Sequence, residues 1–157
     1  MEVFIDNRQT EVLLDEDILE IIKEVIKESL SIENKSMDYE ISVSFVNNEE
    51  IKDLNNRFRG KDTETDVLSF PMEDTVEIEG QIPILGDIVI SAEKAEEQAK
   101  DFNHSLKREI AYLTAHSMFH LIGYDHLTED DKSMMRNKEK EVMKRLEIFK
   151  NTDGSRE

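Results

Sequence analysis

Apolar and polar residues alternate along VFID near the start of the chain, the two-residue period of a short strand. From Asp15 the period lengthens: Ile18, Ile21, Ile22, Val25 and Ile26 recur at the spacing of one helical face, behind acidic residues suited to a helix N-terminus. Tyr39, Ile41, Val43 and Phe45 then alternate with Glu40, Ser42 and Ser44, which predicts a half-buried strand. Asn47, with Glu50 three residues on, has the form of a capping box, so a helix carrying Ile51, Leu54 and Phe58 is expected to follow and to end near Gly60. VLSF at 67–70, stopped by Pro71, predicts a third strand, and DIVI from Asp87 a fourth. The acidic stretch MEDTVEIEGQIPI between them, with Gly80 and Pro83, predicts a loop or a mobile hairpin. Ser91 is placed to cap a helix through about Lys100, and Ser105 to cap one carrying Leu106, Ile110 and Leu113. Thr128 with Asp131 starts a last helix, with Met135, Val142, Leu146 and Phe149 on its buried side, and the closing NTDGSRE is expected to be disordered.

Strands and helices interleave early and helices gather late, which predicts an α/β or α+β sandwich: a small mixed four-stranded sheet packed with about five helices. A chain of 157 residues is long enough for one core, so a single domain is expected over 1–150, followed by the tail 151–157. No repeat or low-complexity segment interrupts it. The absence of cysteine excludes disulfides and thiolate metal ligands. No segment approaches the roughly twenty apolar residues of a membrane span, so a soluble, cytoplasmic protein is expected.

The net charge of -17 weighs against non-specific binding to nucleic acid, where a basic footprint normally supplies most of the affinity. Local exceptions are Arg57, Arg59 and Lys61 in NNRFRGKD, and Lys107 with Arg108. A solvated face is the ordinary fate of such clusters.

His116, His120 and His126 fall within HSMFHLIGYDH, and they are three of the chain's four histidines. Residues four apart share one face of a helix, so His116 and His120 can present nitrogens to a common point. Gly123 is suited to ending the helix in a left-handed conformation, letting the chain return His126 over the same face. Three neutral imidazoles leave one position of a tetrahedral zinc open, the arrangement of catalytic sites. The spacing agrees with the extended zincin pattern H-E-x-x-H-x-x-G-x-x-H except that Ser117 stands in place of the general-base glutamate. A zincin-like metal helix is therefore expected, without ordinary zincin proteolysis. Zinc, one ion per chain, is the first expectation; the same ligands would accept nickel, cobalt or copper.

A cation held by neutral imidazoles suits phosphodiesters, whose cleavage develops charge on oxygens that a metal and a guanidinium can share. Arg59 is the candidate for that guanidinium; an ion pair with one of the many carboxylates is the competing fate. Asp66 and Asp87, at the starts of two strands, are candidates to orient a ligand or act as a base, although capping is commoner for such aspartates. Asp125 is placed to hold a ligand histidine in its tautomer. His104, just before a helix cap, is expected to be an ordinary surface residue.

At these residues the sequence resembles the YbeY family of bacterial single-strand-specific endoribonucleases. HSMFHLIGYDH is similar to the family's H-G-x-L-H-L-x-G-Y-D-H, and NNRFRGKDTETDVLSFP to the segment leading into T-D-V-L-S-F-P. LGDIVIS resembles the family's L-G-D-I-x-I-S, and HSLKREIAYLTAH the lead into the metal helix. The similar segments run from about Leu54 to His126. The resemblance implies zinc on His116, His120 and His126, with His116 and Arg59 serving catalysis and Arg59 contacting RNA phosphate. It also implies single-stranded ribosomal RNA and the ribosome or its proteins as partners, with no membrane and no DNA. The activity implied is maturation of the 3′ end of 16S rRNA and ribosome quality control. Ser117 departs from the family's glycine, and Glu64 from its proline before Thr65. A metallohydrolase of another substrate class and a ribosome-associated assembly factor with a structural metal are the competing readings. Water and the RNA 2′-hydroxyl both remain open as nucleophile.

Overall fold

Residues 1–72 and 80–148 are described by the computed structural model, and its elements begin where side chains cap them. The chain runs β1 (Glu2–Asn7), α1 (Glu16–Ile32), β2 (Glu40–Val46), α2 (Asn48–Arg59), β3 (Val67–Pro71), β4 (Ile84–Ser91), α3 (Ala92–Asp101), α4 (Leu106–Ile122) and α5 (Glu129–Arg145). Asp15, Asn47, Ser91, Ser105 and Thr128 each accept a hydrogen bond from the backbone N–H three residues on, at 2.9 to 3.1 Å, satisfying donors that the first helical turn leaves unpaired. Only half of the expected capping box at Asn47 forms, because the Glu50 carboxylate turns away to pair with Arg8 at 2.6 Å.

The sheet is four-stranded in the order β1-β2-β4-β3, with β1, β2 and β4 parallel and β3 antiparallel on the outer edge of β4. The α+β class expected from the interleaving is thus what forms. β4 begins at Ile84, three residues earlier than DIVI suggests. Pairing on both sides carries it through Gly86, where the missing side chain hides the alternation: Gly86 lies opposite Ile41 on β2 and Pro71 on β3.

Alternation along the strands divides the core between the two faces of the sheet. Ile41, Val43, Phe45, Ile88 and Ile90 are buried against Ile22 and Ile26 of α1 and Ile110 and Leu113 of α4. On the opposite face Val46, Leu68 and Val89 bury Ile51 of α2. At roughly 1.5–3 kcal/mol for each fully buried aliphatic side chain, this packing fixes α4 against the sheet.

α4 is buried on nearly every side, with Ala111, Leu113, Ala115, Met118 and Phe119 all essentially inaccessible, because α1, α3, α5, β3 and β4 surround it. Its far side meets Met135, Val142 and Met143 of α5. Leu146 is partly buried there, whereas Phe149 and the tail 151–157 lie outside the described residues, as does 73–79 of the expected loop. Among the described residues no helix is long and apolar enough to cross a membrane.

Candidate metal centre

The end of α4 and the turn behind it bring three imidazoles together. Gly123 has φ +120°, and its N–H reaches the carbonyls of Phe119 and His120 at 3.2 and 3.1 Å while Tyr124 N–H reaches Phe119 at 2.8 Å. Those bonds satisfy the last carbonyls of the helix and reverse the chain, so that His126 comes back over His116 and His120. One candidate ligand atom from each ring lies within 4.8 Å of the others.

Partners on the far side of two rings decide which nitrogens face inward. His116 Nδ1 lies 2.7 Å from Oε2 of Glu139, a buried carboxylate on α5. His120 Nδ1 lies 3.2 Å from the carbonyl of Tyr124. A carboxylate and a carbonyl accept, so each Nδ1 carries a proton and, in the neutral ring, each Nε2 keeps a bare lone pair. Those two Nε2 atoms are 3.2 Å apart. Lone pairs that close repel unless a cation lies with them, and neutral imidazoles with both Nδ1 atoms tied back are the donor set of a divalent ion. The residues present fit a metal.

Burial, then the charges of His116 and His126, lower the His120 pKa from 6.5 to about 4. The neutral form that binds metal therefore persists well below neutrality. In metal-free protein the folded state binds fewer protons at His120 than the unfolded chain does, so this group's contribution to stability falls as pH drops from 6.5 to about 4. An NMR titration of chelator-treated protein is expected to place the His120 midpoint near 4; a midpoint at or above 6.5 contradicts the buried, like-charged environment.

Tyr124 is fixed at both ends. Its hydroxyl hydrogen-bonds Glu33 at the end of α1, and this bond, with burial and the charge of Glu33, raises its pKa to about 12. Its carbonyl holds His120.

The histidines open onto a cleft of about 760 Å³ that Arg59, Thr65, Asp66 and Ser69 also line. Arg59 is the last residue of α2, which Gly60 closes in the left-handed conformation at φ +68°. The buried Asn55 amide donates to the Thr63 carbonyl at 3.0 Å and holds the following loop against the helix. Arg57 is tied to Asp53 at 2.8 Å, whereas Arg59 makes no ion pair among the described residues. The competing fate expected for Arg59 is thus the fate of its neighbour.

The aspartates separate. Asp66 stands at the edge of the cleft, accepting from Val67 N–H at 2.8 Å and from the Gln98 amide at 3.3 Å, so it combines a capping role with a place beside the histidines. Asp87 lies inside β4 and not at its start, is exposed, and is absent from the cleft lining; it faces the side of the sheet that carries Phe70 and Val89. Asp125 lines the cleft but accepts from the His126 backbone N–H at 2.7 Å, holding main chain and no imidazole. The carboxylate that orients a ring is Glu139. Its sequence signal is spacing: Met135, Glu139 and Val142 fall on one helical stripe, and a carboxylate on an apolar stripe needs a partner.

His104 is not a surface residue. The chain folds back after α3, with Asn103 at φ +55° and His104 N–H bonded to Ala99 carbonyl at 3.0 Å, and tucks the ring inside. Its Nε2 meets the buried Glu109 carboxylate at 2.8 Å, and it has no part in the ligand cluster. Ser117 is also fully buried, sharing a 2.5 Å hydrogen bond with Ser69 of β3, so the position of the zincin glutamate faces the sheet.

An α+β protein that gathers three imidazoles and a guanidinium without an ion pair among the described residues about one cleft is of a class that can hold a metal ion and receive an anionic ligand beside it. The family model described as Endoribonuclease YbeY matches residues 4–147. An Endoribonuclease YbeY of Finegoldia magna is 48% identical over 153 residues, covering 98% of this chain and 99% of that protein. One from Thermoanaerobacter sp. is 52% identical over 158 residues, covering 94% and 99%. The solution structure of TM1509 from Thermotoga maritima superposes with a TM-score of 0.54 at 28% identity, covering 92% of this chain and 91% of that one. The chain belongs to the YbeY endoribonuclease family.

Proposed function

We propose that this protein is a zinc-dependent endoribonuclease that cuts single-stranded ribosomal RNA in the cytoplasm, maturing the 3′ end of 16S rRNA and serving ribosome quality control. The observation that carries the proposal is the opening of His116, His120 and His126 onto the same cleft as an Arg59 free of any carboxylate among the described residues. Family membership supplies the substrate class. On a chain of net charge -17, the ribosome or its proteins supply the part of RNA recognition that a basic surface would otherwise give.

A zinc ion bound there supplies Lewis-acid charge at the phosphoryl group and lowers the pKa of water. The chain's own residues do the rest. Arg59 neutralises a phosphate oxygen as charge develops in the transition state. Glu139 and the Tyr124 carbonyl keep His116 and His120 in the ligating tautomer. Asp66, at the cleft edge, and Asp125, through the main chain of His126, position the approach to the phosphate. No carboxylate stands at residue 117 to act as the protease base.

Single-stranded ribosomal RNA incubated with wild type, with Arg59→Ala and with chelator-treated protein tests this. Arg59→Ala is expected to cut about 10²–10³ times more slowly with its zinc content unchanged, and the chelated sample not at all. Equal cleavage by all three would mean a contaminating nuclease.

A further inference from the structure

A second groove meets the histidines from the other side. Tyr112, His116 and His126 form one wall of it, and Lys132, Arg136 and Glu139 of α5 the other, around about 230 Å³. It shares His116 and His126 with the Arg59 cleft, but it lies towards the Nδ1 edge of His116, where Glu139 sits, while Nε2 faces the other ligand atoms. The half-exposed rim of the candidate metal centre thus separates two depressions, each with its own guanidinium.

The cations in this groove are placed by helical spacing. Lys132, Arg136 and Glu139 stand four and three residues apart, so they share the face of α5 that looks at α4. Of the three, only Glu139 is buried, and its carboxylate is committed to His116. Two other cations of α5 are tied to acids: Arg145 to Glu28 of α1 at 3.1 Å and to Glu141 of its own helix at 2.8 Å, and Lys138 to Glu33, just past α1, at 3.9 Å. Lys132 has only a 3.4 Å contact with Glu129, whose side chain is 91% exposed, and Arg136 has no ion pair among the described residues. On so acidic a chain, two cations left available beside the histidines set a local field opposite in sign to the whole.

We propose that this groove is a second phosphate-binding subsite, in which Arg136 and Lys132 take a backbone phosphate of single-stranded RNA beyond the histidines from Arg59. The strand then runs from the scissile phosphate, held between Arg59 and the histidines, across the rim to Arg136. Arg136 supplies the planar, two-pronged donor that matches a phosphodiester, and Lys132 a mobile point charge. The contacts go to backbone, so they add affinity without reading bases. The subsite rests on the RNase function proposed above.

The test uses the full-length zinc-loaded protein and a set of single-stranded oligoribonucleotides with one cut site, a short one and versions lengthened on the 5′ or the 3′ side. Wild type is expected to gain from lengthening on one side only, as a lower KM. Lys132→Ala/Arg136→Ala is expected to lose that gain, about fivefold to tenfold in KM, while kcat, zinc content and cleavage of the short oligonucleotide stay at wild-type values. Two lost phosphate contacts also flatten the plot of log KM against log salt by about 1.4. Arg136→Lys is expected to keep most of the gain. An undiminished gain in the double variant overturns the subsite. So does an equal loss on short and long oligonucleotides together with lost zinc, which would mean that α5 cations merely support Glu139. Failure of wild type to cut any of these RNAs would instead overturn the RNase function itself, and the subsite with it.

Discussion

His116→Ala is expected to lose its zinc on gel filtration and to cut single-stranded RNA at least about a hundredfold more slowly than wild type, a larger deficit than orienting partners cause. The two Nε2 atoms of His116 and His120 face each other at 3.2 Å, and removing either leaves two imidazoles where three are needed. His116→Ala also strands the Glu139 carboxylate, whose side chain is 4% exposed, so it is expected to lower stability as well as metal content. His120→Ala provides the separation. It removes a ligand but leaves Glu139 its partner, so metal and activity should fall with a smaller change in Tm. Glu139→Gln keeps all three ligands and is expected to weaken zinc affinity about 10–100-fold. Elemental analysis and thermal unfolding of the three variants check the order; full zinc retention by both histidine variants would remove the site assignment.

Gly86→Ala is expected to lower Tm by about 5–10 °C, from about 2–3 kcal/mol of overpacking. A Cβ at this position would stand 2.5 Å from the Phe70 carbonyl oxygen and 2.8 Å from Leu121 Cδ2, and the backbone there has φ +156°. The first obstacle is backbone of β3 and the second is a side chain of α4 that lines the cleft, so relief requires the sheet edge and the histidine-bearing helix to move apart. The same substitution at Gly60 meets no atom within 4 Å and is penalised only by its positive φ. Calorimetry alongside zinc analysis measures both effects, and a Gly86→Ala protein as stable as wild type would show that the strand and helix can separate at no cost.

The local rules carried far in this chain because most of them concern neighbours in sequence. Helix starts were legible at Asp15, Asn47, Ser91, Ser105 and Thr128, since a cap is satisfied three residues away. The convergence of His116, His120 and His126 was legible for the same reason: one helix turn and one glycine reversal set it. Legibility fails where a partner comes from elsewhere. Glu139 is 23 residues from His116 and one of 37 acidic residues, and only its place on the Met135–Val142 stripe distinguishes it. His104 looks like loop polarity until the turn after α3 presents it to Glu109. The early start of β4 is invisible because Gly86 is selected by close approach and not by hydropathy. Asp66 and Asp87, equivalent as strand-flanking aspartates, are separated only by which face of the sheet the cleft occupies.

Glu33 gives the cleft a place in the order of folding. This one carboxylate, at the end of α1, receives the Tyr124 hydroxyl and lies 3.9 Å from Lys138 of α5, so it joins segments that are about ninety and a hundred residues downstream of it. Tyr124 in turn presents the carbonyl that aims His120. Contacts of such long sequence separation close late, after the loops between them have lost their freedom. The histidine helix can therefore form early from its own sequence while its rings remain unaimed. Docking of α1 then fixes Tyr124, so the aim of one ring in a locally built cluster depends on a carboxylate about ninety residues away.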